Sequence, residues 1–180
     1  MVCMTANQLI SEADIASLDL LKWPDSHLAA ESARIDVVDE SVILLAERMA
    51  EIMFANKGIG LAAPQVGINV RLFIAIPTLE PDDIRVYINP RIIESDGSQT
   101  GEEGCLSFPD IFGQVKRANH VIVEAMDIDG ITFQEEATEL HARILLHELD
   151  HLEGIVLLDK LSMLAKMKFK KQIAALQQEA

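Results

Sequence analysis

Cysteine is nearly absent from this chain: Cys3 and Cys105 are the two among 180 residues. Cys3 lies in a segment expected to be mobile, which argues against a disulfide framework. Basic residues are also scarce, with Lys and Arg together at 15 against 29 Asp and Glu, a net charge of −14 and a pI near 4.6. A field of that sign repels polyanions, so neither non-specific nucleic-acid binding nor attachment to an anionic membrane is expected. Although 49% of the residues are hydrophobic, no apolar run approaches the roughly 20 residues of a membrane span. The stretch MVCMTANQLISEAD has no basic region followed by an apolar core, and it is acidic rather than Arg-rich. A secretory or transit signal is therefore not expected, and the cytoplasm is the default compartment. Repeats, low-complexity segments and interdomain linkers are missing as well. At 19.9 kDa the chain reads as one domain, residues 1–180, large enough for a single core.

What is present begins after a weakly patterned start. Residues 1–20 are expected to form a loosely ordered extension, and Trp23-Pro24-Asp25 a turn. From Asp39 to Asn56, the apolar positions Val42, Leu45, Ala46, Met49, Ile52 and Met53 recur at helical spacing. Asp39 suits the N-cap and Gly58 the C-terminal stop, and the methionines read as core. The stretch GIGLAAPQVG, residues 58–67, follows, ahead of a strand over residues 70–76. It has neither G-x-G-x-x-G spacing nor a P-loop lysine, which argues against a phosphate cradle. Small residues around Gln65 suggest instead a backbone that a ligand approaches closely. Residues 86–89 and 92–93 read as short strands divided by Pro90, and residues 95–101 as a polar loop. Residues 121–128 and 131–134 read as a hairpin turning at Asp129-Gly130. Glu135, Glu136, Thr138 and Glu139 suit the first turn of a helix. Residues 161–180 are expected to form a C-terminal helix with Leu161, Ala165, Phe169, Ile173 and Leu176 along one side. Its Lys166, Lys168, Lys170 and Lys171 read first as a solvated face, and alternatively as a basic tag for an RNA-rich partner.

The chemistry concentrates in ELHARILLHELDHLEG, residues 139–154, where His147, Glu148 and His151 form H-E-x-x-H. On a helix, residues four apart lie nearly above one another, so both imidazoles project toward a shared point. Neutral imidazole ligates zinc or iron, and Glu148 is placed to act as base on a metal-bound water. Leu140, Ile144, His147 and His151 share one face; Leu145, Leu149 and Leu152 cover much of the rest, leaving Arg143, Asp150 and Glu153 as a narrow polar flank. A helix so largely apolar is a central, buried one. Burying two histidines without partners is costly, and coordination satisfies them; the plainer reading is two hydrogen-bonded histidines on a core helix. For a third ligand, metzincin spacing would require histidine where Leu157 stands. The downstream carboxylates of Glu153, Asp159 and Glu179 lie in no convincing context. Cys105, which alone would read as a small buried apolar residue, is the remaining soft ligand. As a thiolate it completes a Cys-His-His set with one open position.

Three blocks, GIGLAAPQVG, EEGCLSFP and HELDHLEG, in that order and at those separations, closely resemble the peptide deformylases, from about Pro24 to the C-terminal helix. The resemblance implies removal of the formyl group from the N-terminal formylmethionine of nascent bacterial proteins, with release of formate. It implies Fe(II) as the native metal, with zinc, nickel or cobalt able to occupy the site. Carried onto this chain, it makes Cys105, His147 and His151 the metal ligands and Glu148 the acid/base. Gln65 and the backbone N–H of Leu106 would hold the formyl oxygen, and Gly60 would let the substrate backbone pass close. The roles agree with the chemistry of the residues: a dipositive metal acidifies its water, Glu148 takes the proton, and charge developing on oxygen meets the two donors. A pocket for the methionine side chain would draw on Leu140, Ile144, Ile59 and Leu61. The chain departs from the family pattern at Leu146, where Gln is common, at Ala29, where Arg is frequent, and at Phe112, where Arg or Tyr often stands at the cleft. The implied fold is α+β, with short antiparallel sheets packed around the buried H-E-x-x-H helix, a long N-terminal helix and another at the C-terminus. Two other readings stay open: a peptidase cleaving ordinary amides, and a non-catalytic metal-binding or ribosome-associated protein.

Overall fold

Strands whose side chains alternate between two buried sides set the frame. In the computed structural model, which describes residues 4–179, α1 (Ala6–Ser11) and α2 (Glu40–Ala55) precede β1 (Gly60–Ala62), β2 (Leu72–Ala75) and β3 (Arg85–Asp96). Then come β4 (Gln99–Cys105), β5 (Phe108–Arg117), β6 (His120–Met126) and β7 (Thr132–Thr138). The helices α3 (Glu139–Leu152), α4 (Leu157–Lys160), α5 (Met163–Lys168) and α6 (Lys170–Glu179) follow. Five strands pair antiparallel in the order β1-β2-β3-β6-β7, and β4 with β5 forms a separate ribbon. This is the expected α+β class. Among the described residues, no helix is long and apolar enough to cross a membrane.

The strand period of two lets β2 serve two layers. Leu72 and Ile74 join a fully buried cluster with Val42, Leu45, Met49 and Met53 of α2, while Phe73 and Ala75 join Leu145, Leu149 and Leu152 of α3. Each such buried side chain contributes about 1.5–3 kcal/mol. A third cluster ties Phe108, Ile111 and Val115 of β5 to Leu157, Leu161, Phe169 and Leu176 near the C-terminus. The helix carrying H-E-x-x-H is thus held between the five-stranded sheet and the ribbon. Helix α2 begins as expected at Asp39, whose carboxylate accepts from the N–H groups of Ser41 and Val42. Its stop differs: Lys57, not Gly58, takes the left-handed conformation at φ 57°. Gly58 is needed for space, because a Cβ there would lie 2.7 Å from Leu106 Cδ1.

Elsewhere tertiary partners change what local pattern suggests. The expected loose extension over residues 1–20 is folded from residue 4 onward. Thr5 and Gln8 cap α1 reciprocally, and Ala6 and Ile10 are buried in the α2 cluster. Residues 1–3, Cys3 among them, lie outside the described residues. The two short strands expected around Pro90 are one strand, β3. Pro90 sits in the register shift between Ile88 and Arg91, where the ladder tolerates a missing N–H. The expected loop over residues 95–101 is mostly strand, turning at Gly97 with φ 66°. Glu135 and Glu136 belong to β7 rather than to the first helical turn, with Ile122 opposite Glu136, whereas Thr138 ends β7 as the N-cap of α3 and Glu139 stands in its first turn as expected. Glu135 is drawn inward because Tyr87 donates to it at 2.7 Å and Arg85 pairs with it. The expected C-terminal helix is broken at Phe169 into α5 and α6. Leu161, Phe169 and Leu176, expected along one side, all reach the same cluster despite the break.

Candidate active site

Helix geometry and the end of one strand bring the soft ligands together. One turn of α3 stacks His147 and His151, their ring centroids 5.1 Å apart. Cys105 ends β4, and a register shift after Gly104 places it opposite Phe108. Its Sγ lies 3.3 Å from His151 Nε2. The candidate donor atoms of Cys105, His147 and His151 all lie within 4.8 Å of one another. His147 Nδ1 is 3.1 Å from Glu103 Oε2, a pairing that commits one ring nitrogen and leaves Nε2 for coordination. Two imidazoles and a thiol, with a carboxylate behind His147, fit zinc or Fe(II). Burial holds the His151 pKa well below its ordinary value. His147 is a little more open, and its contacts with Cys105 and Glu103 outweigh the effect of burial and raise it.

Glu148, the next residue on the helix, is 4% exposed, and its Oε2 has no partner among the described residues. Burial pushes its carboxyl up to about 7, against the opposing attraction of His147. The chain makes room for this group at Gly60, where a Cβ would lie 2.4 Å from Glu148 Oε1. Gln65 is fixed in the 3-10 turn Ala63–Val66: its Oε1 accepts from the Ala62 N–H at 2.9 Å and its Nε2 donates to Ser107 Oγ at 3.1 Å. Gln65 Nε2 also reaches within 3.5 Å of Cys105 Sγ.

Cys105, His147, Glu148 and Gln65 wall a cavity of about 640 Å³ that Ile59, Gly60, Leu106, Phe112, Leu140 and Ile144 also line, with His151 buried behind them. Ile144 is buried, whereas Ile59, Phe112 and Leu140 are partly open to solvent. Leu61 does not belong with them. It is fully buried in the α2 cluster, because strand alternation turns it away when Gly60 faces the cavity. Arg143, read from sequence as polar flank, is only 6% exposed. It donates to Glu103 Oε1 at 2.6 Å and to the Val115 carbonyl at 3.0 Å.

Sequence reasoning missed the group behind His147. Arg117 makes a two-pronged contact with Glu103, 2.8 Å at each oxygen, and reaches Asp150 Oδ2 at 2.5 Å. Lys160 joins Asp150 at 3.0 Å. Burial alone would raise the Glu103 carboxyl, but Arg117 and His147 hold it well below the usual carboxylate range. The available signal was a charged residue, Arg143, inside an otherwise apolar stretch, and Glu103 two positions before Cys105. At the departures from the family pattern, Leu146 packs beside the α3 cluster and its carbonyl accepts from Arg117 at 3.3 Å. Ala29 lies against Gly154, where a Cβ would be 2.8 Å from the Ala29 carbonyl oxygen.

The family model for polypeptide deformylases matches residues 17–167. A peptide deformylase of Chromobacterium violaceum is 42% identical over 159 residues, covering 88% of this chain and 95% of that protein. Peptide deformylase 1B of Arabidopsis thaliana, chloroplastic/mitochondrial, is 39% identical over 165 residues, covering 90% of this chain and 60% of its own length. Among solved structures, a plant peptide deformylase superposes with a TM-score of 0.85 at 37% identity, covering 91% of this chain and 90% of that one. The Plasmodium falciparum peptide deformylase gives 0.85 at 33% identity, covering 89% and 96%. The chain belongs to the polypeptide deformylase family, metal-dependent hydrolases that remove the formyl group from formylated nascent peptides.

Proposed function

We propose that Cys105, His147 and His151 hold one dipositive metal, Fe(II) natively with zinc, nickel or cobalt able to replace it, and that Glu148 is the acid/base of deformylation. The observation that supports this most strongly is the convergence of a thiol and two imidazoles beside a buried carboxylate at the wall of an open cavity. When bound, the metal supplies Lewis-acid polarisation and lowers the pKa of the attacking water. Glu148 accepts that water's proton and later returns it to the leaving amine. Burial raises the Glu148 carboxyl above its ordinary range, the direction that suits a group which both takes and returns a proton. The amide of Gln65 and the N–H of Leu106 donate to the formyl oxygen as charge develops there. Gln65 is already held by Ala62 and Ser107, so little reorganisation is needed. Ile144, Leu140 and Ile59 receive the methionine side chain, and Phe112 borders the cleft beyond it. Gly60 accommodates the Glu148 carboxylate as well as a passing substrate backbone.

The substrates are formylmethionyl nascent chains in the cytoplasm. Lys168, Lys170 and Lys171 are exposed near the C-terminus and offer a contact for the RNA-rich ribosome surface. The test is formate release from formyl-Met-Ala-Ser by anaerobically prepared protein, first with iron and then with zinc, beside unformylated Met-Ala-Ser. Formate from the first peptide alone is expected. Cleavage of the unformylated peptide supports the peptidase reading, and no formate at full metal occupancy supports the non-catalytic one.

A further inference from the structure

The short helix α5 is pinned at both ends and bare between them. Leu161 before it and Phe169 after it are buried, whereas Met163, Leu164 and Met167 are 78%, 77% and 68% exposed. The pinning is local and specific. A Cβ on Gly113 would lie 2.5 Å from Leu161 Cδ2, and Ser162 Oγ accepts from the Ala165 N–H at 3.2 Å. Exposed apolar side chains on so firmly seated a helix are not a lapse of core packing. Leu164 and Met167 border a second depression of about 610 Å³, with Phe112 and Glu102 along its other side. Phe112 and Glu102 also line the catalytic cavity, so the two spaces share a wall. Phe112 itself is half exposed, its ring lying over Gly104, where a Cβ would be 2.6 Å away.

We infer that this depression continues the substrate cleft and takes an apolar side chain of the peptide a few residues downstream of the formylmethionine. The inference rests on the deformylase reading. The shared wall argues for the substrate's own chain as the occupant, since a peptide extended at about 3.3 Å per residue from the catalytic cavity past the shared Phe112 would reach the depression within a few residues. Glu102 and Lys168 at the rim oppose each other in charge, leaving apolar contact to set the preference. Flexible Met and Leu side chains accommodate varied partners, as a site for many nascent sequences requires.

The experiment compares formylmethionyl hexapeptides that differ only in carrying Leu or Ser at positions four to six. The Leu peptides are expected to show a KM about five- to ten-fold lower at equal kcat, the mark of added uniform binding. Leu164→Ser combined with Met167→Ser removes the difference and leaves turnover of formyl-Met-Ala-Ser unchanged. Equal KM values in the parent protein, or a difference that survives the double substitution, overturn the inference. So does a concentration-dependent dimer lost in the double variant without any peptide discrimination, which would assign the face to a second copy of the chain. Absence of formate release from formyl-Met-Ala-Ser by the parent defeats the deformylase reading and this inference with it; the hexapeptide comparison alone defeats only the inference.

Discussion

At Glu148, burial, an oxygen without a partner and a neighbouring glycine coincide. Replacing it with the isosteric Gln should retain the metal while lowering kcat by about 10²- to 10⁴-fold, measured as formate release beside metal content. The same change should raise the thermal midpoint of the metal-free protein at pH 8. A carboxyl raised to about 7 in the folded state binds its proton more tightly folded than unfolded. It therefore costs stability increasingly as pH rises from the unfolded value to about 7, the full cost is present at pH 8, and the neutral amide removes it. Glu103 acts one contact further out, through His147. Glu103→Gln should weaken metal binding by about 10- to 100-fold, read by competition with a chelator, because the imidazole loses its anionic partner. Glu148 could be singled out from the H-E-x-x-H spacing, where the roles follow from positions four apart. Glu103 could be noticed two positions before Cys105, but its role could not be read, because its partners come from β5 and α3 and no local spacing records that meeting.

Helices and strands were legible where one period ran unbroken. Helix α2 was found because its apolar positions recur every three or four residues and Asp39 precedes them. Asp39→Ala should cost about 1 kcal/mol, measured by denaturant unfolding at pH 7. Hydrogen bonds from Ser41, Asn7 and Val42 depress the Asp39 carboxyl despite some desolvation. Its contribution is therefore present above the ordinary value of 3.8 and lost as pH falls through the depressed folded value, so the parent and variant curves should converge in acid. The period failed at β3, where Pro90 suggested a break that a register shift absorbs. It failed again at β7, where Glu135 and Glu136 resembled a helix start but Glu135 serves Tyr87 and Arg85 across the sheet and Glu136 pairs with His120.

On the scale of the whole molecule, a ribbon carrying Cys105 must be held in register with a helix carrying the histidines. Arg117 does much of this, joining Glu103 on β4 to Asp150 on α3 from within the protein. Arg117→Met leaves the buried Glu103 with Arg143 and the partly buried Asp150 with Lys160 as remaining cations, and should still cost about 3 kcal/mol. That is a large share of the ~5–15 kcal/mol by which a domain is folded, and a denaturant midpoint would show it. The α+β class and the central helix were readable from sequence because H-E-x-x-H, EEGCLSFP and GIGLAAPQVG are contiguous blocks. The folding of α1 and the inward turn of Leu61 were not, because they depend on which side of the sheet α2 occupies. The thiol from the ribbon and the imidazoles from the helix are proposed to form one metal site, and the metal content of purified Cys105→Ala, set beside the parent, decides it. Loss of the metal together with formate release is expected; full occupancy in a folded Cys105→Ala protein would overturn the ligand assignment.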